Sequence, residues 1–210
     1  MPYKKHPLIV EYAGNGRTVA SGKSCLGYGI SGGQNFIWLC LPFVSEDGQR
    51  DSETWWGDID ATVSYCKESV AAVGEQWGAD PQSVFLVGFS RGAIVCNVIG
   101  LHDESVAKLW RGMICHSHYD EGRWKGTDAA GASQRIKRLG KIPQLISNEV
   151  PVVEKEKIES YIKSVFPEGD FTFVDLPFDE HTETWILQDS EERRLIRQWV
   201  RQKLGVDGNR

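Results

Sequence analysis

Short apolar runs alternate along this chain with segments in which apolar residues recur every three or four positions. The apolar runs have the length of β-strands and cover residues 7–12, 35–43, 83–89, 111–115, 142–147 and 171–176. The periodic segments predict helices at residues 54–77, 94–99, 152–166 and 189–204. Strand and helix therefore alternate from Pro7 to Leu204, which predicts an α/β fold with a mostly parallel sheet covered by helices on both faces.

The strands and loops of the first third of the chain have distinct patterns. Residues 7–12 and 35–43 are predominantly apolar, which predicts strands that are buried on both faces. Residues 17–34 and 45–53 are glycine-rich or polar and show no period, so we predict that both are surface loops.

The ends of two predicted helices are marked by specific residues. Gly78 should end the first helix, and Asp80-Pro81 should turn the chain into the next strand. The last helix should begin at Asp189 or Ser190, with Glu192 available to complete a capping box from Asp189. Its apolar face is predicted to consist of Leu195, Ile196, Trp199 and Val200.

The strand at 83–89 ends in the sequence Gly88-Phe89-Ser90-Arg91-Gly92, directly before a predicted helix. A Gly-x-Ser-x-Gly turn between a strand and a helix is so tight that the serine adopts a strained backbone conformation, and only residues without a Cβ fit beside it. This geometry lifts the serine hydroxyl out of the sheet. The pattern predicts that Ser90 is a catalytic nucleophile.

A serine hydroxyl is a poor nucleophile at neutral pH, so it needs a base within hydrogen-bonding distance and a third group that orients the base. In folds with this turn the chain order is nucleophile, acid and then histidine, and the histidine lies between the last strand and the last helix. Of the five histidines, only His181 occupies that loop. We therefore expect His181 to be the general base.

The residue that orients the base should be a carboxylate at the end of a strand. Glu149 is the one carboxylate directly after the fifth predicted strand, and we expect it to orient His181. Asp120 is the alternative, because it follows the strand after the helix that the nucleophile precedes. Asp175 and Asp179 are closer to His181 in sequence, and we interpret them as ordinary solvated carboxylates.

Acyl transfer places negative charge on the carbonyl oxygen of the substrate, and two backbone N–H groups normally bind this oxyanion. Arg91, the residue after the nucleophile, is expected to supply one of them. The other is expected from Ala13 or Gly14, because the glycine-rich turn at 13–16 follows an early strand and allows its backbone to approach the substrate.

Further side chains are predicted to line the same pocket. The strand after the nucleophile ends in residues 116–120 and contributes the candidate substrate-binding residues His116, His118 and Asp120. The two histidines have no third ligand at a recognisable spacing, so we expect neither a metal nor an organic cofactor. Aromatic faces that can stack on a sugar ring or an aromatic acyl group are those of Trp55, Trp56 and Trp124.

Composition limits the classes of function. With 210 residues, of which 40% are hydrophobic, the chain is predicted to form a single domain over residues 1–210. The net charge is −5 without a basic stripe, so we do not expect nucleic acid as a partner. No apolar run approaches the roughly 20 residues of a membrane-spanning helix, and Met1–His6 lacks the apolar stretch of a secretory signal.

The cysteine pattern gives only a weak indication of the compartment. The five cysteines have no Cys-x-x-Cys spacing, and we expect them to be free thiols that are mostly buried. This favours a reducing compartment, but the localisation and the oligomeric state stay open.

Together these residues resemble the α/β-hydrolase superfamily, and most closely its compact carbohydrate-esterase and depolymerase-like serine esterases. The resemblance covers nearly the whole chain, from the turn after residues 7–12, through Gly88-Phe89-Ser90-Arg91-Gly92, to His181 and the closing helix. It implies a three-layer fold and the chemistry of a serine esterase. Two positions depart from the usual pattern, since Ala13 replaces the histidine of a His-Gly turn and Glu149 stands where an aspartate is commoner.

The sequence therefore predicts a serine carboxylester hydrolase that cleaves a small-molecule or carbohydrate-linked ester through an acyl-enzyme. The segment between residues 119 and 141 leaves room for only a small lid, which disfavours a long-chain lipase. Two alternatives remain open. One is a peptidase or acyltransferase that uses the same triad, and the other is a binding protein that has kept this fold without catalysis.

Overall fold

The computed structural model of the protein describes residues 5–15, 24–52, 55–149 and 153–205. The strands of its sheet are β1 His6–Tyr12, β2 Ile37–Leu41, β3 Ala79–Phe89, β4 Gly112–His116, β5 Gln144–Asn148 and β6 Phe171–Asp175. The helices in the described ranges are α1 Leu26–Ser31, α2 Ile59–Trp77, α3 Arg91–Val98, α4 Glu104–Ala107, α5 Ala129–Lys137, α6 Val153–Val165 and α7 Glu191–Lys203. A short 3₁₀ helix, Thr184–Leu187, lies between β6 and α7.

The strands form one sheet in the order β2-β1-β3-β4-β5-β6, and every neighbouring pair is parallel. Parallel strands place their carboxyl ends at the same edge of a sheet, so the loops that follow them meet there. Because β3 lies in the interior of the sheet, the turn after β3 has the ends of β1 and β4 on either side. This edge of the sheet is where the candidate catalytic residues lie.

Helices cover both faces of this sheet. Leu86 and Met113 belong to the apolar layer that includes α2, α3, α5 and α6, whereas Phe85 and Ile114 belong to the opposite layer with α1 and α7. Successive residues of β3 and β4 thus point to opposite faces, and both faces are buried. This explains why the central strands are continuous apolar runs. The predicted α/β fold, with a parallel sheet between two helical layers, is confirmed.

The prediction that the strand at 35–43 is buried on both faces was wrong. This segment forms β2 at the edge of the sheet, and Trp38 within it is 40% exposed because side chains of an edge strand have neighbouring strand side chains on one side only. The loop predicted at 17–34 contains the helix α1, whose N–H groups at Leu26 and Gly27 bind the buried carboxylate of Glu11 at 3.2 and 2.7 Å. Residues 16–23 lie outside the described residues.

Several helix boundaries differ from the predicted ones. The first predicted helix, α2, ends before Gly78 as expected and begins at Ile59. Residue 54, where α2 was predicted to start, lies outside the described residues. The same holds for residue 152, the predicted start of α6. Trp77 is 70% exposed at the last position of α2. Asp80-Pro81 does not form a turn, since β3 starts at Ala79 and includes both residues. The helices α4 and α5 have only four and nine residues, too few to show a repeated apolar period, and were not predicted.

The start of α7 also corrects a detail of the sequence interpretation. The hydroxyl of Ser190 accepts a hydrogen bond from the N–H of Arg193 at 3.1 Å and caps the helix. The predicted capping box between Asp189 and Glu192 is therefore wrong, and Asp189 instead forms an ion pair with Arg193 at 2.8 Å. Leu195 is 45% exposed, contrary to the prediction, whereas Ile196, Trp199 and Val200 are buried.

Two expectations from composition concern helices and thiols. None of the helices in the described ranges combines the length and the apolarity of a membrane-spanning segment. All five cysteines are free, and Cys66, Cys96 and Cys115 are buried.

Three backbone segments meet at the carboxyl end of β3 with no space for side chains between them. A Cβ atom on Gly88 would lie 2.0 Å from the carbonyl oxygen of Gly92, and a Cβ atom on Gly92 would lie 1.9 Å from the carbonyl oxygen of Tyr12. Both distances are far shorter than a van der Waals contact. Glycine at these two positions is therefore what allows α3 to begin so close to β1 and β3.

We expect Gly92→Ala to lower the free energy of unfolding by at least about 2 kcal/mol, because the added methyl group overlaps the backbone of β1. The control is Gly74→Ala in α2, where the nearest atom to the added Cβ would be 3.7 Å away. Alanine should stabilise that helix by roughly 0.5–1 kcal/mol. Urea unfolding of both variants measures the difference, and equal stabilities would contradict a tight backbone contact at Gly92.

Candidate active site

Ser90 occupies the turn between β3 and α3 in a strained backbone conformation. Its φ of 53° and ψ of −118° lie in a region that residues with a side chain rarely adopt. The N–H of Ser90 donates to the carbonyl oxygen of His116 at 2.9 Å, which fixes the turn to the end of β4. The hydroxyl of Ser90 is consequently held at the carboxyl edge of the sheet, as the Gly-x-Ser-x-Gly pattern predicts.

One imidazole bridges this hydroxyl and a carboxylate. The Nε2 atom of His181 lies 3.0 Å from the Oγ atom of Ser90, and its Nδ1 atom lies 3.2 Å from the Oε1 atom of Glu149. A carboxylate can only accept, so it favours the tautomer with hydrogen on Nδ1 and leaves the Nε2 lone pair facing the serine. The structure thus brings together the three residues predicted as nucleophile, base and acid, from the ends of β3 and β5 and the loop after β6.

Glu149 is held by a second hydrogen bond. The hydroxyl of Ser117 donates to its Oε1 atom at 2.6 Å. Burial disfavours the charged form of Glu149, but the hydrogen bonds from His181 and Ser117 outweigh burial and lower its pKa to about 2. Glu149 is therefore an anion over the whole neutral range. Sequence reasoning placed Ser117 near the pocket without assigning it a role, because its contact with Glu149 joins β4 to β5.

The prediction that His116 lines the pocket was wrong. His116 is completely buried, because it points in the same direction as Ile114 and enters the apolar layer of α7. Its Nε2 atom accepts a hydrogen bond from the indole N–H of Trp185 at 2.9 Å and lies 3.1 Å from the carbonyl oxygen of Thr182. His116 therefore packs beneath the loop that contains His181 and supports it. It cannot contact a substrate.

His118, by contrast, lies directly beside the candidate base. Its ring is stacked on that of His181 with the centroids 5.1 Å apart and the planes at 30°. Burial lowers the pKa of His118, and the nearby His181 lowers it further. His118 therefore lies beside the candidate catalytic residues, and its contact with substrate stays a prediction. Within the described part of the chain, no three His, Cys, Asp or Glu side chains are arranged to hold a metal ion.

Asp120 does not approach the candidate base. Its carboxylate is 1% exposed, pairs with the Nε atom of Arg135 at 2.8 Å and accepts the N–H of Gly122 at 3.2 Å. The expectation that Asp120 lines the pocket, and its alternative role as the acid, were therefore wrong, since its carboxylate is used in a buried ion pair. Asp175 is exposed and pairs with Lys155 at 2.8 Å, which agrees with its interpretation as a solvated carboxylate.

The two segments predicted to bind the oxyanion lie against each other. Gly92 of α3 touches the backbone of Tyr12 at the end of β1, and Ala13 follows as a buried residue. Gly14 packs on Phe89, because a Cβ atom at this position would lie 2.8 Å from its ring. Arg91 begins α3, where a helical N–H has no partner within the helix. The last residue of the predicted turn, Gly16, lies outside the described residues.

Aromatic rings form a continuous row beside the catalytic pair, which we call the aromatic arc. The arc consists, in spatial order, of His118, Trp124, Trp55, Trp56 and Phe43. Neighbouring ring centroids are between 4.8 and 6.5 Å apart. One end of the arc stacks on His181, and at the other end the guanidinium carbon of Arg91 lies 4.4 Å from the centre of the last ring.

The members of the arc differ in their access to a substrate. Trp56 is 4% exposed and its indole donates to the carbonyl oxygen of Lys125 at 2.7 Å, so its ring is packed inside the protein and does not face a substrate. Trp55 and Trp124 are partly exposed, so stacking of their rings on a substrate stays a prediction. The contribution of Phe43 was missed because nothing in the sequence relates it to the residue after the nucleophile.

Comparison with known proteins gives matches at the level of structure. No protein-family model matches the chain, and no curated protein sequence matches it. SOBER1 from Arabidopsis thaliana has a TM-score of 0.55 at 16% identity, over 95% of this chain and 99% of that one. An S-formylglutathione hydrolase from Agrobacterium tumefaciens has a TM-score of 0.62 at 16% identity, over 97% and 86%. A sugar hydrolase from Lactococcus lactis, YeeB, has a TM-score of 0.68 at 13% identity, over 98% and 92%.

These similarities extend over nearly the whole of both chains in each pair. At identities of 13–16% they establish the fold, which is the α/β-hydrolase fold, and the corresponding sequence prediction is confirmed. Substrates do not carry over at such identities.

The buried His116 should make the stability of this protein sensitive to mild acid. Burial lowers the pKa of His116, so the unfolded chain takes up a proton at a pH where the folded protein does not. Stability then falls as the pH drops below the ordinary imidazole pKa of about 6.5. We expect the Tm to decrease from about pH 7.5 to about pH 5, and His116→Gln to reduce this dependence.

The control for this measurement is Gly74→Ala in α2, which changes no ionisable group and should keep the wild-type slope of Tm against pH. A slope that is the same in His116→Gln and in the wild type would show that His116 does not titrate on unfolding.

Proposed function

We propose that this protein is a serine carboxylester hydrolase in which Ser90 is the nucleophile, His181 the general base and Glu149 the acid that orients the base. The observation that carries the proposal is the bridging imidazole, with Nε2 at 3.0 Å from the serine hydroxyl and Nδ1 at 3.2 Å from the carboxylate. Both distances are those of hydrogen bonds, and this arrangement is what activation of a serine requires.

In the first half of the reaction, the Oγ atom of Ser90 attacks the carbonyl carbon of the ester while its proton passes to Nε2 of His181. The carbonyl oxygen becomes an oxyanion. When the tetrahedral intermediate collapses, the bond to the alcohol oxygen breaks and His181 returns its proton to the departing alcohol. The acyl group is left on Ser90 as an ester.

In the second half, a water molecule replaces the alcohol. His181 takes a proton from the water while the water oxygen attacks the acyl carbon. The same proton is returned to Ser90 when the carboxylic acid product is released. Glu149 stays ionised throughout, because its pKa of about 2 is far below the pH of catalysis, and so it stabilises the imidazolium that forms in each half. The backbone N–H groups of Arg91 and of Ala13 or Gly14 bind the oxyanion.

The proposed substrate is a small-molecule or carbohydrate-linked ester. The structures that share the fold include proteins described as esterases, an S-formylglutathione hydrolase and a sugar hydrolase. The partly exposed rings of Trp55 and Trp124 support a substrate with a flat face, which a sugar ring or an aromatic group provides. No step of the proposed mechanism needs a metal or an organic cofactor.

We expect a fluorophosphonate probe to label the wild-type protein, and labelling to be lost in Ser90→Ala and in His181→Ala. Ser164→Ala is the matched control, because Ser164 lies on the exposed side of α6 and should not react. Gel fluorescence measures the labelling. Labelling that survives in Ser90→Ala would refute the nucleophile, whereas an unlabelled wild type that binds an ester without turnover would identify a binding protein.

Replacing Glu149 tests the contact between its carboxylate and Nδ1 of His181. We expect Glu149→Gln to lower kcat on the order of 10³-fold, because the amide no longer stabilises the imidazolium. Asp120→Asn should instead lower the thermal stability, since it removes a buried partner of Arg135, and should leave kcat of the folded enzyme near the wild-type value. A larger loss of kcat in Asp120→Asn than in Glu149→Gln would overturn the assignment of the acid.

A further inference from the structure

Arg91 is a buried cation at the candidate site. The residue as a whole is 5% exposed, although it is next to the proposed nucleophile. The guanidinium carbon lies 4.4 Å from the ring centre of Phe43, so one planar face of the guanidinium is covered. Its Nε atom is buried without a hydrogen-bond partner, and no carboxylate in the described ranges forms an ion pair with it.

Two other buried charges in the described ranges, those of Asp120 and Glu11, have specific partners. The buried carboxylate of Asp120 is paired with Arg135 at 2.8 Å, and the buried carboxylate of Glu11 accepts N–H groups from Gly27 and Trp38 at 2.7 and 2.8 Å. Burying a charge without such a partner is costly, and an aromatic face compensates only a small part of this cost. Arg91 therefore lacks, within the described residues, the anion that its environment requires.

The position of Arg91 also favours an anion. It is the first residue of the eight-residue helix α3, where the free N–H groups and the helix dipole create a positive potential. The aromatic arc ends at the ring of Phe43 under the guanidinium, so a row of packed rings connects the candidate base to this cation. Because Arg91 directly follows Ser90, an anion bound by Arg91 would lie close to the ester that Ser90 attacks.

We propose that the guanidinium of Arg91 binds a carboxylate of the substrate, so that the preferred substrate is an ester that also carries a free carboxylate. A carboxylate fits better than a phosphate, because Phe43 covers one face and leaves binding to the planar edge of the guanidinium, which matches two carboxylate oxygens. One positive charge is also neutralised by one carboxylate. This inference rests on the proposed ester hydrolysis and specifies its substrate class.

The role differs from binding of the oxyanion. An oxyanion forms on every ester in the transition state, so a guanidinium directed at it would accelerate neutral and charged esters equally. A guanidinium directed at a substrate carboxylate discriminates between the two. The ratio of kcat/KM for matched charged and neutral esters therefore separates these roles.

The experiment uses the full-length chain and pairs of methyl esters that differ only in charge. Monomethyl succinate, glutarate, adipate and terephthalate are each compared with the corresponding ester in which the free carboxylate is a carboxamide. Release of acid is followed in a pH-stat. For at least one spacing we expect kcat/KM to be about tenfold or more higher for the carboxylate, as for a charge-assisted hydrogen bond.

Variants then assign this preference to a residue. Arg91→Gln should bring the ratio of kcat/KM for charged and neutral esters close to one. Arg194→Gln, at an exposed position of α7, should retain the wild-type ratio. If Arg91→Gln does not fold, inhibition of the wild type replaces it. Glutarate and terephthalate should then compete with methyl ester substrates more strongly than glutaramide and terephthalamide do.

The possible outcomes separate the two proposals. If the wild type hydrolyses neutral esters in a Ser90-dependent manner with a ratio near one at every spacing, the substrate carboxylate is refuted and the esterase is not. If Arg91→Gln lowers kcat/KM by the same factor for the charged and the neutral ester of each pair, Arg91 acts on the oxyanion or on folding, and the inference is also refuted. If no ester is hydrolysed and no probe reacts with Ser90, the proposed function itself fails.

Discussion

The close approach of three backbone segments at the end of β3 is the constraint on which the rest of this site depends. Glycine at positions 88 and 92 lets α3 start against the ends of β1 and β3 without overlap. Only this geometry places Ser90 at a φ of 53° with its hydroxyl at the carboxyl edge of a fully parallel sheet. The same contact presses the turn after β1 against the start of α3. One packing restriction thus positions the candidate nucleophile and both candidate oxyanion donors.

The rest of the site is held together by hydrogen bonds between the loops that follow different strands. His181 connects the turn after β3 to the end of β5, and Ser117 connects the end of β4 to the same carboxylate, Glu149. Beneath them, His116 receives the indole N–H of Trp185 and supports the loop from the apolar layer. The base is therefore held from both sides, with its tautomer determined by a carboxylate of low pKa.

The electrostatics of the site are asymmetric. Its anion, Glu149, accepts hydrogen bonds from two protein groups, whereas its cation, Arg91, has an aromatic face and no anion among the described residues. Under the proposed roles, Ser90, His181 and Glu149 would determine the reaction, and Arg91 would determine which substrate is preferred.

The sequence by itself determined the order of the strands and of the helices α2, α3, α6 and α7, the Gly-x-Ser-x-Gly turn and the loop that contains His181, because these follow from local periodicity and from glycine at fixed spacing. It also indicated Glu149 by its place after a strand. The tertiary structure alone decided that His116 is buried, that Asp120 belongs to Arg135, and that Arg91 lies on Phe43. Side-chain direction and partner choice depend on which strands become neighbours, and a linear pattern does not contain that information.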